Sequence, residues 1–218
     1  MIHHKLMQLE ENQLQTFFGI SKKLASQVYT MFHQQHLLKA AIGYYHGEAF
    51  RHLDAASWTT STKNNADDAL RILSAMYGIL RPMDGILPYR MDMTVNFDDL
   101  GMQDGYSFWS ERVTNALCDQ LEKGEVVFNL ASKEFAMLID KHAIHRVGHW
   151  VDVDFLTYKD GSYKTIAMTA KKARGTFAKI LLETPIDSIK DVRRIPSFHG
   201  FELLSDQATH HLRYVIKT

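Results

Sequence analysis

The sequence predicts a mixed α/β fold, because stretches with the apolar spacing of helices alternate with short extended stretches. The apolar run EVVFNL, residues 125–130, is followed at once by ASKEFAMLI, which is typical of a buried strand that leads into a helix. Residues 145–169 have the pattern of two strands around a Lys-Asp-Gly-Ser turn, and residues 198–217 have an extended pattern. This mixture excludes a helical bundle and an all-β sandwich.

Helices are predicted where apolar residues recur every three or four positions. Residues 21–33 and 106–122 each carry such a stripe. Residues 66–77 carry another, with Asn65 available as the N-cap. A further helix, AKKARGTFAKILLE at residues 170–183, is predicted after the second strand of the 145–169 pair.

Composition indicates a soluble cytoplasmic protein with a single core. The chain has 218 residues, of which 45% are hydrophobic, and its 25 basic residues balance its 25 acidic residues. Because the net charge is zero, any site for nucleic acid or phosphate must come from local clustering of cations. The one cysteine, Cys118, has no internal disulfide partner, and no apolar run approaches the roughly 18 residues of a membrane span. We therefore expect no membrane association.

The stretch YGILRPMDGILPYRMDM, residues 77–93, combines rigid backbone with two cations. It contains two of the chain's four prolines, and they lie close to Arg81 and Arg90. Proline fixes its own φ angle and restricts the residue before it. We therefore interpret this connection as one that holds two guanidinium groups in place.

The stretch FFGISKKLASQV, residues 17–28, resembles the helix-hairpin-helix motif of non-specific DNA-binding proteins. Gly19 would end one helix, and Lys22 and Lys23 would begin the next, with Ser21 where the motif has its second glycine. Such a hairpin directs backbone N–H groups and a helix N-terminus at a phosphate. Ser21 would limit the approach of the backbone but could cap the new helix. An ordinary hairpin with two solvated lysines remains the alternative.

Two further segments are candidate anion sites. In MTAKKARG, Lys171, Lys172 and Arg174 are predicted in or near the first turn of a helix, where cations oppose the helix dipole unless an anion binds. In NLASKEF, Asn129 would end a buried strand and Ser132 would begin the next helix, which is where open α/β sheets bind ligands. The alternatives are a solvated basic turn and a capping box, respectively.

Metal ions and cofactors are not expected. His142, His145 and His149 straddle a change from loop to strand, so no helical face collects them. The pattern around Ser132 lacks the Gly-x-Ser-x-Gly arrangement of a nucleophile. The sequence therefore assigns no reaction, and binding is favoured over catalysis.

Four segments together resemble the YaaA family of bacterial peroxide-stress proteins. They are LRILSAMYGILRPMDGILPYRMDM, YSFWSERVTNAL, VVFNLASKEF and AKKARGTFAKILLE, which occur in this order, and the resemblance extends from about Leu14 to the tail. It implies a single-domain α/β fold with a central sheet, surrounding helices and a helix-hairpin-helix element at about residues 8–33. It also implies DNA binding in a basic cleft that includes Arg81 and Arg90, protection during peroxide stress, and limitation of free iron.

The ends of the chain depart from the family pattern. Members begin with an apolar strand and a Ser-Pro-Ala-Lys turn, neither of which occurs here, and the polar pattern near Phe198, Gly200 and Phe201 is altered. If the sheet lacks that strand, we expect an exposed edge, with either lower stability than a full-length relative or self-association through that edge.

These observations favour DNA binding through backbone contacts without base recognition. The proposed contact residues are Lys22, Lys23, Arg81, Arg90, Asn129, Ser132, Lys171, Lys172 and Arg174. The alternative is an enzyme or nucleotide-binding protein that encloses a small phosphate-bearing or acidic ligand with the same cleft. An open groove continuous with Lys22 and Lys23 would favour DNA, and a closed pocket would favour the small ligand.

Overall fold

The fold is described from a computed structural model that covers residues 2–102, 104–186, 188–192, 194–204 and 210–217, with the backbone alone at position 99. These residues form a mixed α/β structure, as predicted. The helices are α1 Ile2–Leu6, α2 Glu11–Phe18, α3 Lys22–His33, α4 Glu48–Leu53, α5 Thr60–Ala69, α6 Gly105–Cys118, α7 Lys133–Ala136, α8 Lys141–Val147, α9 Ala167–Glu183 and α10 Ile189–Val192. The strands are β1 Lys39–Ala40, β2 Ile72–Ser74, β3 Gly78–Leu80, β4 Gly85–Ile86, β5 Val126–Asn129, β6 His149–Lys159, β7 Ser162–Lys164, β8 Ser197–Phe198, β9 Phe201–Leu203 and β10 His211–Lys217.

A six-stranded mixed sheet organises the C-terminal half of the described residues. Its order is β5-β6-β10-β9-β8, with β7 also paired to β6. Strands β5, β6 and β10 run parallel, whereas β7 and β9 are antiparallel to their neighbours. Alternate β6 side chains, including Val153 and Phe155, belong to one buried cluster with Ala173 and Phe177 of α9. Burial of this apolar face against α9 is what holds the sheet in the core.

Helix α9 is also packed tightly against α4. A Cβ atom at Gly175 would lie 1.9 Å from the carbonyl oxygen of Ala49, so only glycine allows this approach. On the far side of the same contact, Leu53 of α4 is buried with Leu182 of α9. Helix α9 is therefore fixed from two directions, by the sheet and by α4.

The predicted helix over 66–77 is wrong. Helix α5 ends at Ala69, and the rest of that range holds β2 and the turn that leads to its antiparallel partner, β3. The hydroxyl of Ser74 accepts hydrogen bonds from the backbone N–H groups of Met76 and Tyr77, which closes the turn. Gly78 then adopts φ 76° against the indole of Trp109, where a Cβ atom would lie 2.5 Å from the ring. Local hydrogen bonds and this close contact outweigh the helical spacing of the apolar residues.

The start of α9 also differs from the prediction. Strand β7 ends at Lys164 and α9 begins at Ala167, so the strand pattern predicted through residue 169 is wrong at its end. Ile166 and Met168 are exposed, which explains the error: their apolar character does not reflect burial. The predicted helices over 21–33 and 106–122 and the strand at 126–129 with its following helix are confirmed, with small differences in bounds. The extended tail is confirmed at β8, β9 and β10, and its residues 205–209 lie outside the described residues. Residues 145–147, predicted as the start of a strand, belong to α8. None of the helices in the described part of the chain is long and apolar enough to cross a bilayer.

Candidate functional site

Helices α2 and α3 form a hairpin that presents two lysines. Gly19 ends α2 in the left-handed conformation at φ 59°, and its N–H donates to the carbonyls of Gln15 and Thr16. The hydroxyl of Ser21 accepts the backbone N–H of Leu24 at 3.4 Å, so the predicted cap of α3 is confirmed. Lys22 and Lys23 follow directly and are exposed. They line an open cleft of about 800 Å³ along α3 with Glu11, Ser26, Gln27, Thr30, Met31, Gln34 and His36.

Arg90 lies beside the turn of this hairpin. Its side chain is exposed, and it lines a cleft of about 270 Å³ together with Gly19 and Ile20. Ile20 precedes Lys22 by two residues, so Arg90 comes close to the N-terminus of α3 although it is distant in sequence. Asp92 is the one acidic residue that lines this cleft. We call Lys22, Lys23 and Arg90 the hairpin group.

Arg81 is held in a different turn. Its backbone N–H donates to the carboxylate of Asp84 at 2.7 Å, and the N–H of Asp84 donates back to the Arg81 carbonyl at 3.2 Å. Pro82 is buried in this turn, and the Arg81 side chain is exposed. A second guanidinium, that of Arg71, lies near Arg81. Burial, and then the positive charge of Arg81, lower the pKa of Arg71. The sequence interpretation missed Arg71, and its Nη1 bonds to the carbonyls of Asp67 and Leu70 at the end of α5.

Asn129 is engaged in a network around Asp152. Its side-chain N–H donates to Asp152 Oδ1 at 2.8 Å, and its side-chain oxygen Oδ1 accepts the backbone N–H of Ala131. Lys141 Nζ and Trp150 Nε1 also donate to Asp152, at 2.6 and 3.0 Å. Burial acts to raise the pKa of Asp152, but these three hydrogen bonds together hold it below its usual value. The sequence analysis missed Asp152, Lys141 and Trp150, because the network joins segments that are distant along the chain.

Ser132 is the N-cap residue of α7, but its hydroxyl accepts no capping hydrogen bond. Glu134 does not complete a capping box either, because its carboxylate accepts the backbone N–H of Met93 at 3.1 Å. The capping box that competed with the ligand interpretation is therefore absent from this helix start. The Ser132 hydroxyl remains half-buried.

The basic residues of α9 lie farther along the helix than predicted. Because α9 begins at Ala167, Lys171 is its fifth residue, and the argument from the helix dipole is weaker than the sequence indicated. Lys171 and Lys172 are exposed, whereas Arg174 is half-buried. The Nε of Arg174 is fully buried and has no hydrogen-bond partner among the described residues. Burial lowers the pKa of Arg174, and the charge of Asp154 acts in the opposite direction. We call Asn129, Ser132, Lys171, Lys172 and Arg174 the sheet group.

The contacts bring some predicted residues together and leave others apart. Arg90 lines one cleft with Gly19 and Ile20 of the α2–α3 turn, whereas Lys22 and Lys23 line another cleft along α3. Asn129 ends β5 and Ser132 precedes α7, whereas Lys171, Lys172 and Arg174 lie on α9. Neither of the two clefts described above is lined by Arg81 or by any member of the sheet group. A single concavity that joins Arg81, Arg90, Lys171 and Arg174 therefore stays a prediction.

A half-buried tyrosine network ties down the 77–93 stretch. The Tyr89 hydroxyl lies 2.7 Å from both the Tyr45 hydroxyl and the Ser74 hydroxyl. The Tyr77 hydroxyl donates to the carbonyl of Leu87 and accepts the N–H of the same residue, both at 3.2 Å. Burial raises the pKa of Tyr45, Tyr77 and Tyr89, so all three stay neutral hydrogen-bonding groups. The network joins the β2–β3 hairpin to the segment that carries Arg90.

Three histidines meet at one end of the sheet. The ring of His210 lies 5.1 Å from that of His145 and 6.3 Å from that of His149, measured between centroids. Within the described residues, no group of three or more His, Cys, Asp or Glu side chains is arranged to hold a metal ion. These contacts are therefore ring packing at the surface.

Comparison with known proteins identifies the family. The family model described as "Peroxide stress protein YaaA" matches residues 1–207. A "UPF0246 protein" of Francisella philomiragia is 32% identical over 198 residues, which are 87% of this chain and 77% of the relative. A "UPF0246 protein" of Francisella tularensis subsp. novicida is 30% identical over 216 residues, which are 95% of this chain and 84% of the relative.

Proposed function

Because the chain belongs to the YaaA family of peroxide stress proteins, we propose that it protects cells during peroxide stress by binding DNA in the cytoplasm. Binding would use the phosphate backbone, with no base recognition. We propose that the α2–α3 hairpin acts as a helix-hairpin-helix element in this role. By family resemblance, the same response includes the limitation of free iron.

The approach of Arg90 to the α2–α3 turn is the observation that carries this proposal. Arg90 lines a cleft with Gly19 and Ile20 of the turn, Lys22 and Lys23 follow that turn in the chain, and none of the three cations forms an ion pair among the described residues. Helix α3 is 12 residues long and begins at Lys22, so its dipole adds positive potential at the lysines. Two unpaired lysines at a helix N-terminus, with an arginine beside the preceding turn, suit the charge of a DNA backbone.

The sheet group and Arg81 are proposed as further contacts to the backbone. Lys171, Lys172 and Arg81 are exposed and have no ion-pair partner among the described residues. Arg174, Asn129 and Ser132 would contribute at the end of β5. Because the net charge of the chain is zero, we expect weak binding that falls steeply as salt rises.

The test is the affinity for a labelled duplex at low salt, measured by fluorescence anisotropy. Lys22→Ala combined with Lys23→Ala should weaken binding about tenfold for every duplex sequence alike. The control, Lys63→Ala with Lys123→Ala, removes two exposed lysines that line neither cleft and should change affinity little. Equal losses in both double variants would show a non-specific charge effect and remove the hairpin from the proposal.

The cellular role is tested in a bacterium that lacks its own family member. Expression of this chain should restore survival after hydrogen peroxide and lower the chelatable iron, whereas the Lys22→Ala, Lys23→Ala variant should restore survival less well. If the variant protects as well as the unchanged chain, DNA binding through the hairpin is not how the protein acts.

A second candidate, an enzyme or nucleotide-binding protein for a small phosphate-bearing ligand, is supported by Arg174. Its buried Nε lacks a hydrogen-bond partner among the described residues, which is costly unless a ligand supplies one. A nucleoside triphosphate should then raise the melting temperature of the protein, and Arg174→Met should abolish that rise. The absence of any rise would exclude this candidate and leave DNA binding.

A further inference from the structure

The hairpin of β6 and β7 carries two tyrosines on its open surface. Tyr158 and Tyr163 are register partners across the antiparallel pair, and their ring centroids are 5.1 Å apart. The exposed fractions are 37% for Tyr158 and 53% for Tyr163. Ile166 and Met168, which follow the hairpin in the chain at the start of α9, are 41% and 53% exposed. The hairpin therefore presents an exposed aromatic pair, and exposed aromatic surface marks interaction sites.

The other tyrosines with described hydrogen bonds differ from this pair. The hydroxyl groups of Tyr45, Tyr77, Tyr89 and Tyr214 all bond inside the protein. The hydroxyls of Tyr158 and Tyr163 make no hydrogen bond within the described part of the chain. A cross-strand aromatic pair stabilises a hairpin by itself. That role does not require both rings to stay exposed at the surface.

The charges around the pair are mostly positive. Lys217 of β10 is the register partner of Tyr158 in the parallel pair, so these two side chains share one face of the sheet. Lys159 and Lys164 directly follow the two tyrosines in their strands, so they point to the opposite face of the hairpin. All three lysines are exposed and form no ion pair among the described residues. From residue 158 to residue 172, Asp160 is the one acidic residue against four lysines. A partner for this surface should offer flat rings together with negative charge.

We propose that Tyr158 and Tyr163 form a stacking platform for the bases of single-stranded nucleic acid, with Lys217 on the same face at a phosphate. Unpaired strands expose base faces and carry one phosphate for each base, which matches an aromatic pair beside a lysine. Lys159 and Lys164, on the opposite face of the hairpin, add positive potential at longer range. A duplex hides its base faces, so it has little use for the rings. The inference extends the proposed DNA binding to a second surface and a different form of nucleic acid, and it does not need the hairpin group.

The experiment measures the affinity for a labelled oligothymidylate of about 15 nucleotides, a length that spans a typical single-strand site. Tyr158→Leu with Tyr163→Leu keeps apolar cover but removes the rings, and binding should fall about tenfold or more. Tyr158→Phe with Tyr163→Phe keeps the rings and should bind as the unchanged protein does. Affinity for a duplex should change little in either variant.

Several results would overturn the proposal: equal binding by the Leu and Phe variants, no binding of the oligonucleotide, or binding of phosphatidylserine vesicles but not of the oligonucleotide. If the Leu double variant fails to fold, the affinity of the single variant Tyr163→Leu is measured instead. More than half of the Tyr163 residue is exposed, so this change should leave the fold intact. The two proposals fail separately. Oligonucleotide binding without duplex binding removes only the hairpin proposal, and the reverse removes only this one.

Discussion

The hairpin group and the sheet group both contain two exposed lysines and an arginine, but their arginines are held in opposite ways. Lys22 and Lys23 at the start of α3 and Arg90 in a connection are all exposed, so a phosphate can reach them without disturbing the fold. Asn129 is already bonded to Asp152, and the Nε of Arg174 is desolvated beneath other atoms. A cation on the surface costs little free energy in the unbound protein, whereas a partly buried one costs stability until a partner arrives.

The largest expected effect is a loss of stability when the packing of α9, which carries three residues of the sheet group, is disturbed. Gly175→Ala places a Cβ atom 1.9 Å from the carbonyl oxygen of Ala49, and backbone cannot move aside as a flexible side chain can. We expect a loss of about 3 kcal/mol in the free energy of unfolding, measured by chemical denaturation. Gly43→Ala is the control, because a Cβ atom there meets nothing within 4 Å and should change stability by less than about 0.5 kcal/mol. Equal effects would show that α4 and α9 are not packed this closely.

Asp152→Asn tests the network that holds Asn129. At neutral pH it should cost about 2 kcal/mol, because three donors lose a charged acceptor. The pKa of Asp152 is lowered in the folded protein, so its contribution is complete above the ordinary value near 3.9 and is lost as pH falls through the folded value. Unfolding measured from pH 7 to pH 3 should therefore show the variant's deficit shrinking below about pH 4. A deficit that stays constant would mean that the charge of Asp152 has no part in stability.

Arg174→Met separates stability from binding. Methionine fills similar space without a buried polar atom that lacks a partner, so the unbound protein should gain about 1 kcal/mol. Affinity for DNA or for a phosphate-bearing ligand should fall in the same variant. Loss of stability would instead show that the guanidinium already has a partner in the folded protein, and Arg174 would then leave the sheet group.

The smallest effect distinguishes two serines that both precede a helix. Ser21→Ala removes a hydroxyl that accepts the N–H of Leu24 at 3.4 Å, and we expect a loss of about 0.5 kcal/mol, at the low end for an N-cap. Ser132→Ala removes a hydroxyl without a capping hydrogen bond and should change stability by less. Thermal unfolding of the two variants side by side provides the measurement. A greater loss at Ser132 would indicate that its hydroxyl is committed to the fold and is not available to a ligand.

Sequence reasoning succeeded where local pattern and tertiary structure agree. The spacing of buried residues in α3 predicts that helix, and Ser21 predicts its cap. It failed over 66–77, where the turn closed by Ser74 and the contact of Gly78 with Trp109 override an apolar stripe. Both features depend on groups that are not adjacent in a helical pattern, so periodicity does not reveal them.

The candidate site was predictable in its residue types and only partly in its geometry. In the sequence, Lys22 and Lys23 after the turn at Gly19 already indicate an exposed helix start. The approach of Arg90 to that turn, and the burial of the Arg174 Nε, result from packing between distant segments. Exposed apolar residues such as Ile166 and Met168 misled the assignment of β7, because sequence alone does not separate a binding surface from a buried strand.

The most direct test of the account is the salt dependence of duplex binding by the hairpin group. We predict that the slope of log affinity against log salt becomes shallower by about 2 to 3 when Lys22, Lys23 and Arg90 are all replaced by alanine, since each lost phosphate contact removes about 0.9. The loss should be the same for duplexes of unrelated sequence. An unchanged slope in the triple variant would contradict the account, because the hairpin group would then make no contact with the DNA backbone.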